Sequence, residues 1–427
     1  MKIPYIKNNG DYSYYIIFGF YLTVLIGFYL NEDSLGSGYH DYSFHNQWVE
    51  NFKNNFYLTY KNFGLYVGSP RNSPVFLIIL SFISKFLDEN TIRLLNSTVS
   101  ICIAIVFFKC LLIKFKEINI NILSLIASSV YLSPSIRTES IWPYPLIWAF
   151  LFFLLSIYFY LLFNNSQNKN IKFKYSILNL IFLSISSYIT PTYCVFIFFY
   201  FYNFFKVFNY SKEISYFLLI GLILSIPAIF FLITKGVYFT KFGVFGVSLG
   251  TMLNPFNKII IINTIFFYYF LSIANVKEII NSFFSKINIR IFIYIFFFSI
   301  ISISFFNFDD GNFAGGGFFY KFSKIFLDNN FLLYVVFIIS NFVIYLIFFK
   351  NINNIILFST LIFYNLQFSI YNKYFEPLII VLLFLLFEFK IIQSFFNKKN
   401  YLTKFYFFII LYFLASAFKD YFYKFIN

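Results

Sequence analysis

The chain has 427 residues, of which 60% are hydrophobic and 11% charged, whereas a soluble globular domain carries roughly a quarter charged residues. Long apolar runs recur from end to end, which excludes a soluble domain, and a membrane barrel would show short alternating segments instead. The net charge of +15 comes from basic residues scattered in short loops between apolar runs, so it reads as a topology signal and not as a nucleic-acid footprint.

In chain order the apolar runs fall near 14–30, 74–87, 92–114, 119–133, 141–163, 176–190, 192–208, 214–234, 257–273, 291–306, 330–349, 355–370, 378–393 and 403–418. They predict an all-α polytopic membrane protein with about 13 transmembrane helices plus surface helices in the first extracytoplasmic loop. One integral membrane domain is expected over 1–427. Its N-terminal catalytic module would be 1–165, with an outer loop at 31–73, and its C-terminal helices 166–427.

Lys2 and Lys7 precede the first run and place the N-terminus in the cytoplasm. That run is long for a secretory signal and no small-residue cleavage site follows it, so it reads as a retained span. The run 74–87 lies between Pro70 and Pro74 on one side and Asp88 and Glu89 on the other, and is expected to dip into the outer leaflet without crossing. The basic clusters Lys114 and Lys116, Lys169 to Lys174, Lys277 to Arg290, and Lys398 with Lys399 then all face the cytoplasm of a plasma (inner) membrane. Most carboxylates face outward, among them Glu32, Asp33, Asp41, Glu89, Glu139 and Glu376. Cys102, Cys110 and Cys194 lie inside apolar runs without metal-ligand spacing and read as packed thiols.

Both histidines, His40 and His45, fall in the segment 31–45 together with Glu32, Asp33 and Asp41. Groups that exchange protons near neutral pH are scarce in this chain, and here they gather at the mouth of a span. From Asp41 the pattern turns helical. Phe44, Trp48, Phe52, Phe56 and Tyr60 recur every fourth residue, as on an amphipathic helix lying on a membrane surface. Asp41 stands at its N-terminal end, where a carboxylate caps free amides, and His45 falls one turn on. No cofactor is fixed by these residues. A divalent metal on His40, Asp41 and His45 is the second reading of the cluster, although the spacing matches no standard ligand pattern.

Further motifs follow in order: Ser73-Pro74-Val75-Phe76-Leu77, Ile92-Arg93-Leu94-Leu95, and Ser133-Pro134-Ser135-Ile136-Arg137-Thr138-Glu139. With Glu32-Asp33 and Asp41-Tyr42 ahead of them, this layout over the first 165 residues resembles the GT-C superfamily of integral membrane glycosyltransferases, such as the dolichyl-phosphate-mannose mannosyltransferases. The resemblance implies transfer of a sugar from a polyprenyl-phosphate carrier to a glycan, lipid or protein acceptor on the extracytoplasmic face, as in cell-envelope glycan assembly. It implies no nucleic-acid partner. The acidic pair of that family stands directly before the surface helix; here Glu32-Asp33 lies eight residues before Asp41. Asp41 is the expected base and Asp33 the second choice, with Glu139 as the orienting partner. His40, His45 and Glu32 would line the substrate. Arg137 would meet the departing phosphate, as would Lys373 with its neighbour Tyr374, and Arg71 and Arg93 are reserves.

The run from Asp309 to Gly317 holds a glycine triplet that permits either close backbone approach to a phosphate or a plain flexible turn. A lipid-linked sugar flippase or other transporter is an alternative, but it would place charges or broken helices at mid-membrane, and Lys109 and Glu388 lie near the cytoplasmic ends of their runs. An oligosaccharide polymerase or ligase is another; there a large loop commonly comes late, and here the longest comes first.

Overall fold

The computed structural model describes residues 11–64, 70, 72–209, 211–235, 254–275, 277, 279, 281, 289–308, 315–348, 351–365, 370–388, 395–396 and 399–418. Lys2, Lys7, Arg71, Lys286, Lys398 and Asp309 to Ala314, all read above from the sequence, lie outside these. Among the described residues every regular element is helical. Five helices are long and apolar enough to cross a bilayer: α5 (Glu89–Lys114), α8 (Pro145–Asn165), α11 (Lys212–Thr234), α12 (Pro255–Ile273) and α18 (Lys399–Ala417).

The chain divides into two compact units. The first comprises Met1–Lys61, Pro74–Thr190 and Ile409–Asn427. It contains α1 (Ser13–Tyr29), α2 (Gly38–Asn54), α3 (Phe56–Asn62, up to Lys61), α4 (Pro74–Ile83), α5, α6 (Ile120–Ser128), α7 (Pro134–Ile141), α8, α9 (Lys169–Ile189) and the last turns of α18. Local chemistry sets the boundaries. The Asp88 carboxylate accepts from Thr91 N and starts α5, and Asn168 accepts from Asn170 N and Ile171 N and starts α9. Pro134 and Pro145 occupy first-turn positions of α7 and α8, where a missing N–H costs nothing. The helices α8 and α9 form an antiparallel hairpin. Asn179 donates to the Ser156 carbonyl at 2.8 Å, Ser186 to the Ala149 carbonyl at 2.7 Å, and Phe159 stacks on Phe182 at 5.3 Å.

The ten-residue α4 rises about 15 Å, half the ~30 Å of a hydrocarbon core. The surface helix departs from expectation. It starts at Gly38, not Asp41, and stops at Asn54; Asn55 breaks it before α3. Its buried face is Tyr42, His45, Val49 and Phe52, not the stripe through Phe44, Trp48 and Tyr60. A spacing of strictly four drifts around a helix of 3.6 residues per turn, so the stripe cannot stay on one face.

The second unit comprises Asn62–Ser73 and Pro191–Phe408. It holds α10 (Ile197–Phe208), α11, α12, α13 (Ile289–Ser304), α14 (Gly317–Leu327), α15 (Phe331–Phe348), α16 (Ile352–Phe363), α17 (Asn372–Leu385) and the first part of α18. The centre is α12, which contacts α13, α14, α15, α16 and α17. Phe266 meets the rings of Phe348, Phe358 and Phe387, and Asn263 bonds Asn341, which donates to Ser299. Gly316 and Gly317 both have positive φ, 90° and 74°, at the start of α14. A Cβ on Gly317 would press into Ile265 of α12, so this turn needs glycine for both conformation and space.

Candidate functional site

The first unit is organised around α7, a short helix every residue of which is buried although its sequence, PSIRTESI, is largely polar. Ser133 starts it by accepting from Ile136 N. Polar groups this deep must be matched by partners, and each neighbouring element supplies one. Arg137 donates through Nε to Glu32 Oε1 at 2.7 Å and pairs through Nη2 with Glu32 Oε2. Its remaining donors meet the Thr23 hydroxyl at 2.9 Å, the Thr23 carbonyl at 3.0 Å and the Tyr131 carbonyl at 3.3 Å. Thr138 accepts from Leu35 N at 3.1 Å. From α5, Asn96 donates to the carbonyls of Glu139 and Ser140 at 2.7 and 2.9 Å, and Trp148 holds the Asn96 oxygen at 2.8 Å.

The loop between α1 and α2 is pinned to this helix. Trp142 donates its indole N–H to the Glu32 carbonyl at 3.1 Å. Arg93 lies 3.9 Å from the centroid of the Trp142 ring, donates to the Ile141 carbonyl at 3.2 Å and holds Asn31 at 2.8 Å. Asp33 then closes the loop. Its Oδ1 accepts from Gly36 N at 2.9 Å and Gly38 N at 3.0 Å, and its Oδ2 from Tyr39 N at 3.2 Å. The capping role expected of Asp41 thus belongs to Asp33, eight residues earlier in sequence but folded back onto the first amides of α2.

Asp41 stands in the first turn of α2, half-buried, with its amide bonded to the Ser37 carbonyl at 2.9 Å. A carboxylate there also complements the helix dipole. Tyr42, the next residue, is buried. Burial and a hydrogen bond to the Glu89 carboxylate push its phenol above the ordinary tyrosine range. His45 is buried and stacks on Tyr144 at 5.0 Å, whereas His40 is exposed. Glu139 is buried on α7. It lies two residues from Arg137, and such residues do not share a helix face. Lys373 and Tyr374 belong to the second unit, buried in the first turn of α17, with the ammonium 5.8 Å from the ring centroids of Tyr371 and Tyr374.

The structure therefore gathers Glu32, Asp33 and Arg137 into one lock, with Asp41, Tyr42 and His45 on the helix it starts. Arg137, expected to hold a phosphate, has its fork filled by Glu32. Among the described residues no group of three His, Cys, Asp or Glu side chains is placed to hold a metal ion. Thr23, Gly27, Asn31, Asn96 and Trp142 do not stand out in the sequence. Their signal was faint: a polar residue or a glycine inside or beside an apolar run.

The fold and site define an all-α chain with membrane-length helices and a charged lock at the end of its first helix. The chain matches no family model, no curated protein and no solved structure.

Proposed function

We propose that the chain is an integral membrane glycosyltransferase that moves a sugar from a polyprenyl-phosphate carrier to an acceptor hydroxyl on the extracytoplasmic face of the plasma membrane, with about 13 spans and a cytoplasmic N-terminus. One observation carries the reading. Glu32 holds the first loop against α7 through Arg137, and Asp33 ties that loop to the first amides of α2, which bears Asp41. A reacting group on a rigid element keeps its geometry without entropy cost at the moment of reaction.

In this reading Asp41 takes the proton of the acceptor hydroxyl as its oxygen attacks the anomeric carbon. The bond from that carbon to the carrier phosphate breaks, and its electron pair leaves on the phosphate. Charge grows there, and cations or amides stabilise it. Asp33 and Arg137 move from reacting groups to scaffold.

The test compares two substitutions in isolated membranes. Asp41→Asn lowers transfer by roughly 10²- to 10⁴-fold at an unchanged amount of protein, the usual contribution of a positioned base. Asp33→Asn lowers the amount of folded protein instead. Normal transfer by Asp41→Asn contradicts the assignment.

A further inference from the structure

Lys258 lies in the first turn of α12, is 3% exposed, and among the described residues its ammonium has no hydrogen-bond partner. The other buried cations among the described residues are matched. Arg93 has Asn31 and the Ile141 carbonyl, Arg137 has Glu32, and Lys373 has two tyrosine rings. Nor are the side-chain amides at the start of α12 waiting for Lys258. Asn254 caps α12 through Phe256 N and donates to the Phe305 carbonyl and to Asn307. Asn257 exchanges two hydrogen bonds with Asn307, at 2.9 and 3.0 Å. The end of α12 is thus built and satisfied around one unmatched charge. An ammonium carries three donors and no acceptor, and an unpaired buried charge is costly. What completes it is an oxyanion.

The surroundings define what carries that oxyanion. By length and composition α12 crosses a bilayer, and its first turn lies at one end of the span, the depth of lipid phosphates. A helical lysine leans toward the N-terminal end, hence toward that interface. Next to it runs an apolar track. Tyr294, Phe297 and Ile301 lie exposed on one face of α13, and the track continues to exposed Phe305, which stacks on Phe256 at 5.1 Å and so meets the first turn of α12, the turn that carries Lys258. A charge at the end of an exposed apolar stripe fits an amphiphile: its chain along α13, its headgroup at Lys258.

We propose that Lys258 anchors a binding site for the phosphate group of a membrane lipid. The site lies wholly within the second unit and does not depend on sugar transfer, so its failure and that of the transfer reading are separate results. The experiment uses the full chain in a neutral detergent, titrated with phosphatidic acid and, separately, with inorganic phosphate, as wild type and as Lys258→Met. Wild type binds phosphatidic acid, and Lys258→Met binds it at least about tenfold more weakly, the scale of one charge-assisted hydrogen bond. Without lipid the variant unfolds at a temperature no lower than wild type, because an unmatched charge has been removed. Equal binding by both proteins overturns the proposal, as does a variant that unfolds well below wild type or fails to fold, since Lys258 would then be structural. Binding of inorganic phosphate that depends on Lys258, without binding of phosphatidic acid, overturns the assignment to a lipid.

Discussion

At the residue scale, the pair Arg137–Glu32 decides most. Both side chains are largely buried, at 8% and 20% exposure, and Arg137 also serves the end of α1 through Thr23. Removing one partner leaves a buried charge uncompensated, which costs about 3 kcal/mol or more. Glu32→Ala should therefore lower the unfolding temperature of the detergent-solubilised protein markedly; an unchanged value would make the pair a surface contact in effect. Tyr42 supplies a pH dependence. Its phenol is held above the ordinary range of about 10, so the stability tied to its neutral form is complete below that pH and is lost as pH rises through the folded value. Denaturant unfolding at rising alkaline pH should show this loss in wild type and less of it in Tyr42→Phe. The acidic residues were legible in the sequence because they are rare. Which of them caps and which stays on the helix face was not, because the fold-back of loop 31–37 depends on contacts with α7, a hundred residues later.

At the scale of elements, α7 explains two glycines. A Cβ on Gly27 would strike Glu32 and crowd Arg137 and Ile141; one on Gly38 would strike Thr138. Each glycine lets its helix approach the buried polar helix closely. Gly38→Ala should destabilise by roughly 1–3 kcal/mol, as overpacking does. Gly19, in the same helix as Gly27, has open space around its Cβ position, so Gly19→Ala should be neutral or stabilising by up to about 1 kcal/mol. Thermal unfolding of the two variants side by side checks the contrast, and similar shifts would contradict it. Most helices were legible as apolar runs, and the start of α5 as the acidic pair Asp88 and Glu89. The polar α7 was not legible as a helix, because a short helix buried on all sides has no amphipathic period to reveal it.

At the scale of the whole molecule, the bilayer was legible from composition, since apolar runs of this length and number have no other solvent. The count of spans was less so. Helices such as α10 and α16 have 12 residues, about 18 Å, and α17 has 14, so each needs other elements to complete a crossing. The proposed orientation predicts that a single cysteine at Asn168, in a chain otherwise free of cysteine, resists a membrane-impermeant thiol reagent applied from outside intact cells. Labelling from outside would invert the topology and put Asp41 on the wrong face. The central claim is chemical. Its most direct measurement incubates the purified protein in liposomes with a polyprenyl-phosphate sugar labelled in the sugar, and follows the label. The account predicts that the label passes to an acceptor and free polyprenyl phosphate appears, both abolished in Asp41→Asn. Movement of the intact lipid-linked sugar across the bilayer, with no glycosidic bond formed, would contradict it and make the protein a flippase.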